Sequence, residues 1–181
     1  KTASLFAVSC ETGPILARQN ASEGRRFAEF GEKIGTAFQV ADDLLDFVGD
    51  PEVTGKEPGI DVLNGHVTLP LIYSLKTVGE PSRREIIGLL KEREGEGSFE
   101  RIHAFVHETG GLDYAVRRAS ELSEQALDSI SHVGHSVYMD SLTGMVRFAV
   151  ARASFPAAST VSIAQALPVH AAYLRSRLVA S

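Results

Sequence analysis

Apolar residues along this chain recur mostly at spacings of three and four, the period of an α-helix. From Lys1 to Ala17 the apolar set is Leu5, Val8, Ile15 and Leu16, and Gly13-Pro14 interrupts it. That pair predicts a kink or break in the helix there. A longer helix is predicted from Ala21 to about Phe47, with Ser22 able to cap its start. Phe27, Phe30, Ile34, Phe38, Ala41 and Leu45 share one face of it, and Gly31 and Gly35, four apart, allow a neighbouring helix to come close. Val48 to Gly65, VGDPEVTGKEPGIDVLNG, reads as an ordered loop. A loop of that length inside a compact domain commonly serves function. Helices resume near Val67, with Pro70 tolerated in the first turn. Further helices are predicted at Pro81–Glu94, Phe99–Glu108, Leu112–His132 and Val137–Ala153. In Leu112–His132 the residues Leu112, Ala115, Ala119, Leu122, Ala126 and Ile130 form a continuous stripe. Gly95 to Ser98 and Gly110-Gly111 are turn signals. No segment alternates as a strand does, so the predicted class is all-α. From Ser154 on the chain is rich in Ala and Ser, holds Pro156 and Pro168, and lacks acidic residues. Residues 1–153 are therefore taken as one helical domain and 154–181 as a tail or a separate short helix.

Composition narrows the function classes. With 181 residues, 44% of them hydrophobic, the chain can bury a sizeable core. A net charge of −5 without a Lys/Arg cluster argues against non-specific nucleic-acid binding. No apolar run approaches the roughly 20 residues of a membrane span, so no transmembrane segment is expected. There is no signal-peptide pattern. The single cysteine, Cys10, has no partner for an internal disulfide, which suits a reducing, cytoplasmic setting.

One stretch stands out against the apolar helix that carries it. Gln39 to Asp46 reads QVADDLLD, with Asp42, Asp43 and Asp46 inside five residues. On a helix Asp42 and Asp46 are one turn apart with Asp43 alongside, and Gln39 joins that face. Carboxylates so close repel one another unless a cation sits on them. Mg²⁺ suits such a cluster, because it takes one or two carboxylates and completes its shell with water and substrate phosphates. A solvated acidic helix end would show the same pattern. The loop that follows carries Thr54, Gly55 and Lys56, and a lysine there can reach phosphate oxygens. His103 and His107, four apart, are compatible with metal ligation but lack a third ligand at matching spacing, so an exposed helical face is expected. His132 and His135 are expected at the surface. Cys10 is expected to be a buried, inert thiol.

The stretch GEKIGTAFQVADDLLDFVGDPEVTGKEPGIDVLNGHVTLPLIYSL, Gly31 to Leu75, closely resembles the second aspartate-rich region of the trans-type polyprenyl (isoprenyl) diphosphate synthases. KTASLFAVSCETGPILA at Lys1 to Ala17 resembles the helix before it, and DSLTGMVRFAVAR at Asp140 to Arg152 resembles the closing helix. The resemblance implies an isoprenoid-synthase-type helical bundle, here without its N-terminal helices. It implies that Asp42, Asp43 and Asp46 bind Mg²⁺ that holds an allylic diphosphate. It also implies that Lys1, Thr2, Gln39 and Lys56 are catalytic, with Lys1, Gln39 and Lys56 touching that diphosphate. His66 stands where several members carry a lysine, and it can still donate a hydrogen bond. The implied reaction is condensation of the allylic diphosphate with isopentenyl diphosphate, in isoprenoid biosynthesis. The family's first aspartate-rich motif does not occur here: Asp61, Asp113, Asp128 and Asp140 are isolated. Activity of this chain by itself is therefore doubtful. A separate chain or an N-terminal segment is expected to supply the missing motif within a homo- or hetero-oligomer. The alternatives are a non-catalytic regulatory subunit and an inactive truncated fragment.

Overall fold

The computed structural model describes residues 1–49, 58–92 and 97–151. All regular structure among them is helical, in keeping with the all-α expectation. The helices are α1 (Thr2–Leu16), α2 (Ala21–Val48), α3 (Ile60–Leu63), α4 (Leu69–Thr77), α5 (Glu80–Glu92), α6 (Ser98–Glu108), α7 (Gly111–Ser129) and α8 (Val137–Ala151). The described residues divide into two compact units, one of residues 1–39 with 120–151, the other from within residues 40–119. Residues 154–181, Lys56 and the ends of the helices predicted to Glu94 and Ala153 lie outside the described residues.

In the first unit α1 lies on the N-terminal part of α2. A Cβ at Gly31 would sit 2.8 Å from the Ala7 Cα, and one at Gly35 2.8 Å from the Ala3 Cα. The two glycines thus admit the α1 backbone itself, as their spacing suggested. Phe6 closes the contact against Phe38, ring centroids 5.9 Å apart. Of the kink or break expected at Gly13-Pro14, the break does not occur: α1 runs through Pro14 to Leu16. Proline removes one amide from the ladder, and only Ile15 and Leu16 follow it in the helix. The helix stops where Arg18 turns left-handed at φ 54°, with Gln19 N–H returned to the Pro14 carbonyl at 2.9 Å. The start of α2 is also corrected. Asn20, not Ser22, is the cap, its Oδ1 accepting the Glu23 amide at 3.0 Å. Phe30, Ile34 and Ala37 of α2 are buried, as are Leu122 and Ala126 of α7, Ile130 just past its end, and Val146 and Val150 of α8. Lys33 joins α2 to α7 by donating to Ser129 Oγ at 3.3 Å.

The second unit has its own core of Phe47, Val62, Leu71, Ile86, Ile102 and Val106. Each such side chain, fully buried, contributes about 1.5–3 kcal/mol. The start of α4 holds Pro70 in its first turn, where a missing amide costs little. Thr109 Oγ1 bonds Ser74 Oγ at 2.7 Å and ties the end of α6 to α4. Glu85 and Arg101 pair between α5 and α6. The face of α2 drifts from the expected one. Leu44 and Ala41 are buried here, whereas Leu45 is half-buried, as Phe27 and Phe38 are in the first unit.

Candidate functional site

The predicted site residues fall in both units, and each group has its own surroundings. In the first unit, Lys1 is the exposed N-terminal cap of α1. Thr2, in the first turn of α1, donates its hydroxyl to Gln39 Oε1 at 3.3 Å. The close packing through Gly31 and Gly35 makes this meeting possible between residues 37 positions apart. The two polar side chains that the resemblance singled out are therefore neighbours. An open cleft of about 480 Å³ in the same unit is lined by Arg26, Glu29, Lys33 and His132 among others, and none of the described site residues named above lines it.

In the second unit, the three aspartates occupy the last turns of α2. Asp42 is exposed, and Asp43 and Asp46 are half-buried. Asp46 Oδ1 accepts the Asp61 amide at 3.1 Å and its Oδ2 accepts the Val62 amide at 3.2 Å. Its main-chain carbonyl accepts the Gly59 amide at 2.8 Å. Asp43 Oδ2 accepts the Leu69 amide at 3.3 Å. Both carboxylates thus meet the positive ends of short helices, α3 and α4, where backbone amides lack partners. At the start of α4 the Thr68 hydroxyl is buried and has no hydrogen-bond partner among the described residues. His66 is exposed, its Nδ1 3.6 Å from Asp61 Oδ1 and its amide on the Asp61 carbonyl at 2.9 Å. Asp61 and Thr68 were not singled out by sequence reasoning. A Gly-x-Asp start to a short helix was the available signal for Asp61.

The donor chemistry fits Mg²⁺: hard carboxylate oxygens only, with no thiol or imidazole among the three motif residues. Among the described residues, no group of three or more His, Cys, Asp or Glu converges as a ready-made metal cage. A site that relies on one or two carboxylates, water and a substrate's phosphates needs no such cage. Lys56 lies outside the described residues.

His107 is exposed as expected, but His103 is half-buried. It packs on the rings of Phe99 and Phe47, at 5.8 and 6.3 Å between centroids. His132 Nε2 meets Glu23 at 2.7 Å, and His135 lies 3.4 Å from Asp140. Cys10 is half-buried, and burial pushes its thiol above the ordinary value of 9.0, which keeps it protonated and weakly nucleophilic at neutral pH. No described helix is long and apolar enough to cross a membrane.

Comparison with known proteins places these residues in context. The family model described as polyprenyl synthetase matches residues 1–106. An all-trans-nonaprenyl-diphosphate synthase (geranyl-diphosphate specific) of Rhodobacter capsulatus is 36% identical over 154 residues, covering 84% of this chain and 46% of the relative. A geranylfarnesyl diphosphate synthase of Aeropyrum pernix is 36% identical over 133 residues, covering 74% and 41%. Among solved structures, a polyprenyl synthase from Caulobacter crescentus, complexed with calcium and isoprenyl diphosphate, superposes with a TM-score of 0.76 at 31% identity. That match covers 87% of this chain and 47% of the other. The chain spans about half the length of the curated relatives it matches.

Proposed function

The chain belongs to the polyprenyl synthetase family, and from that premise we propose that it takes part in prenyl transfer within isoprenoid biosynthesis. Its contribution is the site for the allylic diphosphate, which condenses with isopentenyl diphosphate. Asp42, Asp43 and Asp46 hold Mg²⁺. Bound there, the metal neutralises charge between carboxylates and diphosphate and stabilises the departing diphosphate. Lys1, Gln39 and Lys56 contact that diphosphate, Thr2 orients Gln39, and His66 adds a hydrogen-bond donor. The apolar helices keep water from the allylic cation. The working unit is an oligomer, of copies of this chain or with another chain or segment that carries the complementary aspartate-rich motif.

The observation that carries this reading is the placement of three carboxylates on the last turns of α2, two of them held by backbone amides. Those bonds fix carboxylates that would otherwise scatter from one another. Support comes also from the family match, which spans every residue named here. The test is Mg²⁺-dependent binding of a diphosphate, followed by calorimetry, in the Asp42→Ala/Asp43→Ala double variant. Affinity is expected to fall by at least about 100-fold, the scale of losing two charged contacts. Undiminished binding defeats the assignment.

The same bonds also favour a second reading, a non-catalytic regulatory subunit in which the aspartates only fasten the segments that follow α2. That reading predicts no Mg²⁺-dependent diphosphate binding by the unaltered protein.

A further inference from the structure

Helix α3 is only Ile60–Leu63, and its N-terminal cap is Gly59, at φ 81°. Glycine is the residue that this left-handed backbone favours, and a side chain would also strike the Phe99 ring, which lies over the position. Gly59 therefore has no side chain with which to satisfy the first amides of α3, as a capping residue normally does. The acceptors arrive from elsewhere. Asp46, fifteen residues before Asp61, receives the Asp61 and Val62 amides on its two carboxylate oxygens and the Gly59 amide on its carbonyl. Phe47, the next residue, is buried in the same core as Val62 and lies 6.3 Å from Phe99 between ring centroids. Beyond α3, the Asp61 carbonyl accepts the His66 amide, and the Asp61 carboxylate stands 3.6 Å from the His66 ring. A line of contacts thus runs from Asp46 through α3 to His66.

We infer that Asp46 is a positioning residue: it caps α3 from a distance and so sets the turn that presents His66. This rests on the reading above for the role of His66, but the capping itself does not. Metal ligation and capping make different demands on the metal-free protein. A carboxylate that served only as a metal ligand would leave α3 unchanged when removed in EDTA. A capping carboxylate leaves two amides exposed to solvent.

The experiment is amide hydrogen exchange by NMR on the full chain in EDTA. In Asp46→Ala, exchange at Asp61 and Val62 is expected to rise about tenfold or more, with a smaller rise at His66. Asp42→Ala is expected to leave these amides as they are. Asp46→Asn keeps one acceptor oxygen and should fall between, which serves if the alanine variant does not fold. Wild-type exchange at Asp61 and Val62 in both Asp46 variants overturns the inference. Binding of inorganic pyrophosphate with Mg²⁺ supplies the second readout. The effects of Asp46→Asn and His66→Gln are expected to be non-additive if the first residue acts through the second. Additive effects, or no effect of His66→Gln, overturn the positioning role. Failure of the unaltered protein to bind pyrophosphate defeats the proposed function and the positioning of His66, while the loss of protection in EDTA still establishes the cap.

Discussion

Helices α1 and α7 carry comparable apolar residues at helical spacing and use them in opposite ways. On α7 the stripe Ala115, Ala119, Leu122 and Ala126, continued by Ile130 just past the helix end, is buried throughout. On α1 the large residues Leu5, Val8, Ile15 and Leu16 are exposed, Leu16 by 78%. What α1 turns toward α2 is its small residues Ala3 and Ala7 with Phe6, seated on Gly31 and Gly35. The lesson concerns what periodicity encodes. It reports that a segment is helical, but the buried face is chosen by how closely the neighbour can approach. Two glycines on α2 make the backbone of α1 the better partner, since close contact gains dispersion along a whole turn.

The sharpest way to break the comparison is at the buried stripe. Ile130 is fully buried just past the end of α7. Ile130→Ala should cost about 2–5 kcal/mol, by lost transfer energy and the cavity left behind. Chemical denaturation would measure it, and a loss below about 1 kcal/mol would mean that the site collapses freely. The next effect in size is at the glycine seat. A Cβ at Gly31 would meet backbone atoms of Phe6 and Ala7, which cannot swing aside as a side-chain tip can. Gly31→Ala raises helix propensity by about 1 kcal/mol, yet a net loss of about 1–3 kcal/mol is expected from the forced separation of α1 and α2. A stabilised variant would show that the seat is loose.

Much of this fold was legible in the amino-acid order, and the exceptions share a cause. The long helix around the aspartates and the α7 stripe follow from spacing alone. The cap at Asn20 was missed because Ser22 has equal chemistry, and only the path of the chain decides which residue sits at the helix edge. At Gly13-Pro14 the residue order left a kink or a break open, and α1 does not break there but runs on to Leu16. At the candidate site, Asp42, Asp43 and Asp46 were visible as a cluster, but their partners were not. The amides of Asp61, Val62 and Leu69 lie 15, 16 and 26 residues from the carboxylates that receive them. Local rules cannot pair a helix start with an acceptor that distant, because tertiary packing sets the match.

The smallest expected effect is the one that would change the comparison most if it failed. Leu5 is 68% exposed on the outer face of α1. Replacing it by glutamine keeps helix propensity nearly constant and removes little burial. Leu5→Gln should therefore shift stability by no more than about 0.5 kcal/mol, the range of ordinary surface substitutions. Thermal unfolding at two protein concentrations would test this. A loss above about 1 kcal/mol that grows with concentration would mean that the outward leucine is covered in solution. The contrast with α7 would then be one of what covers each stripe, this chain's own core or a neighbouring molecule, since an association that favours the folded form raises stability by mass action.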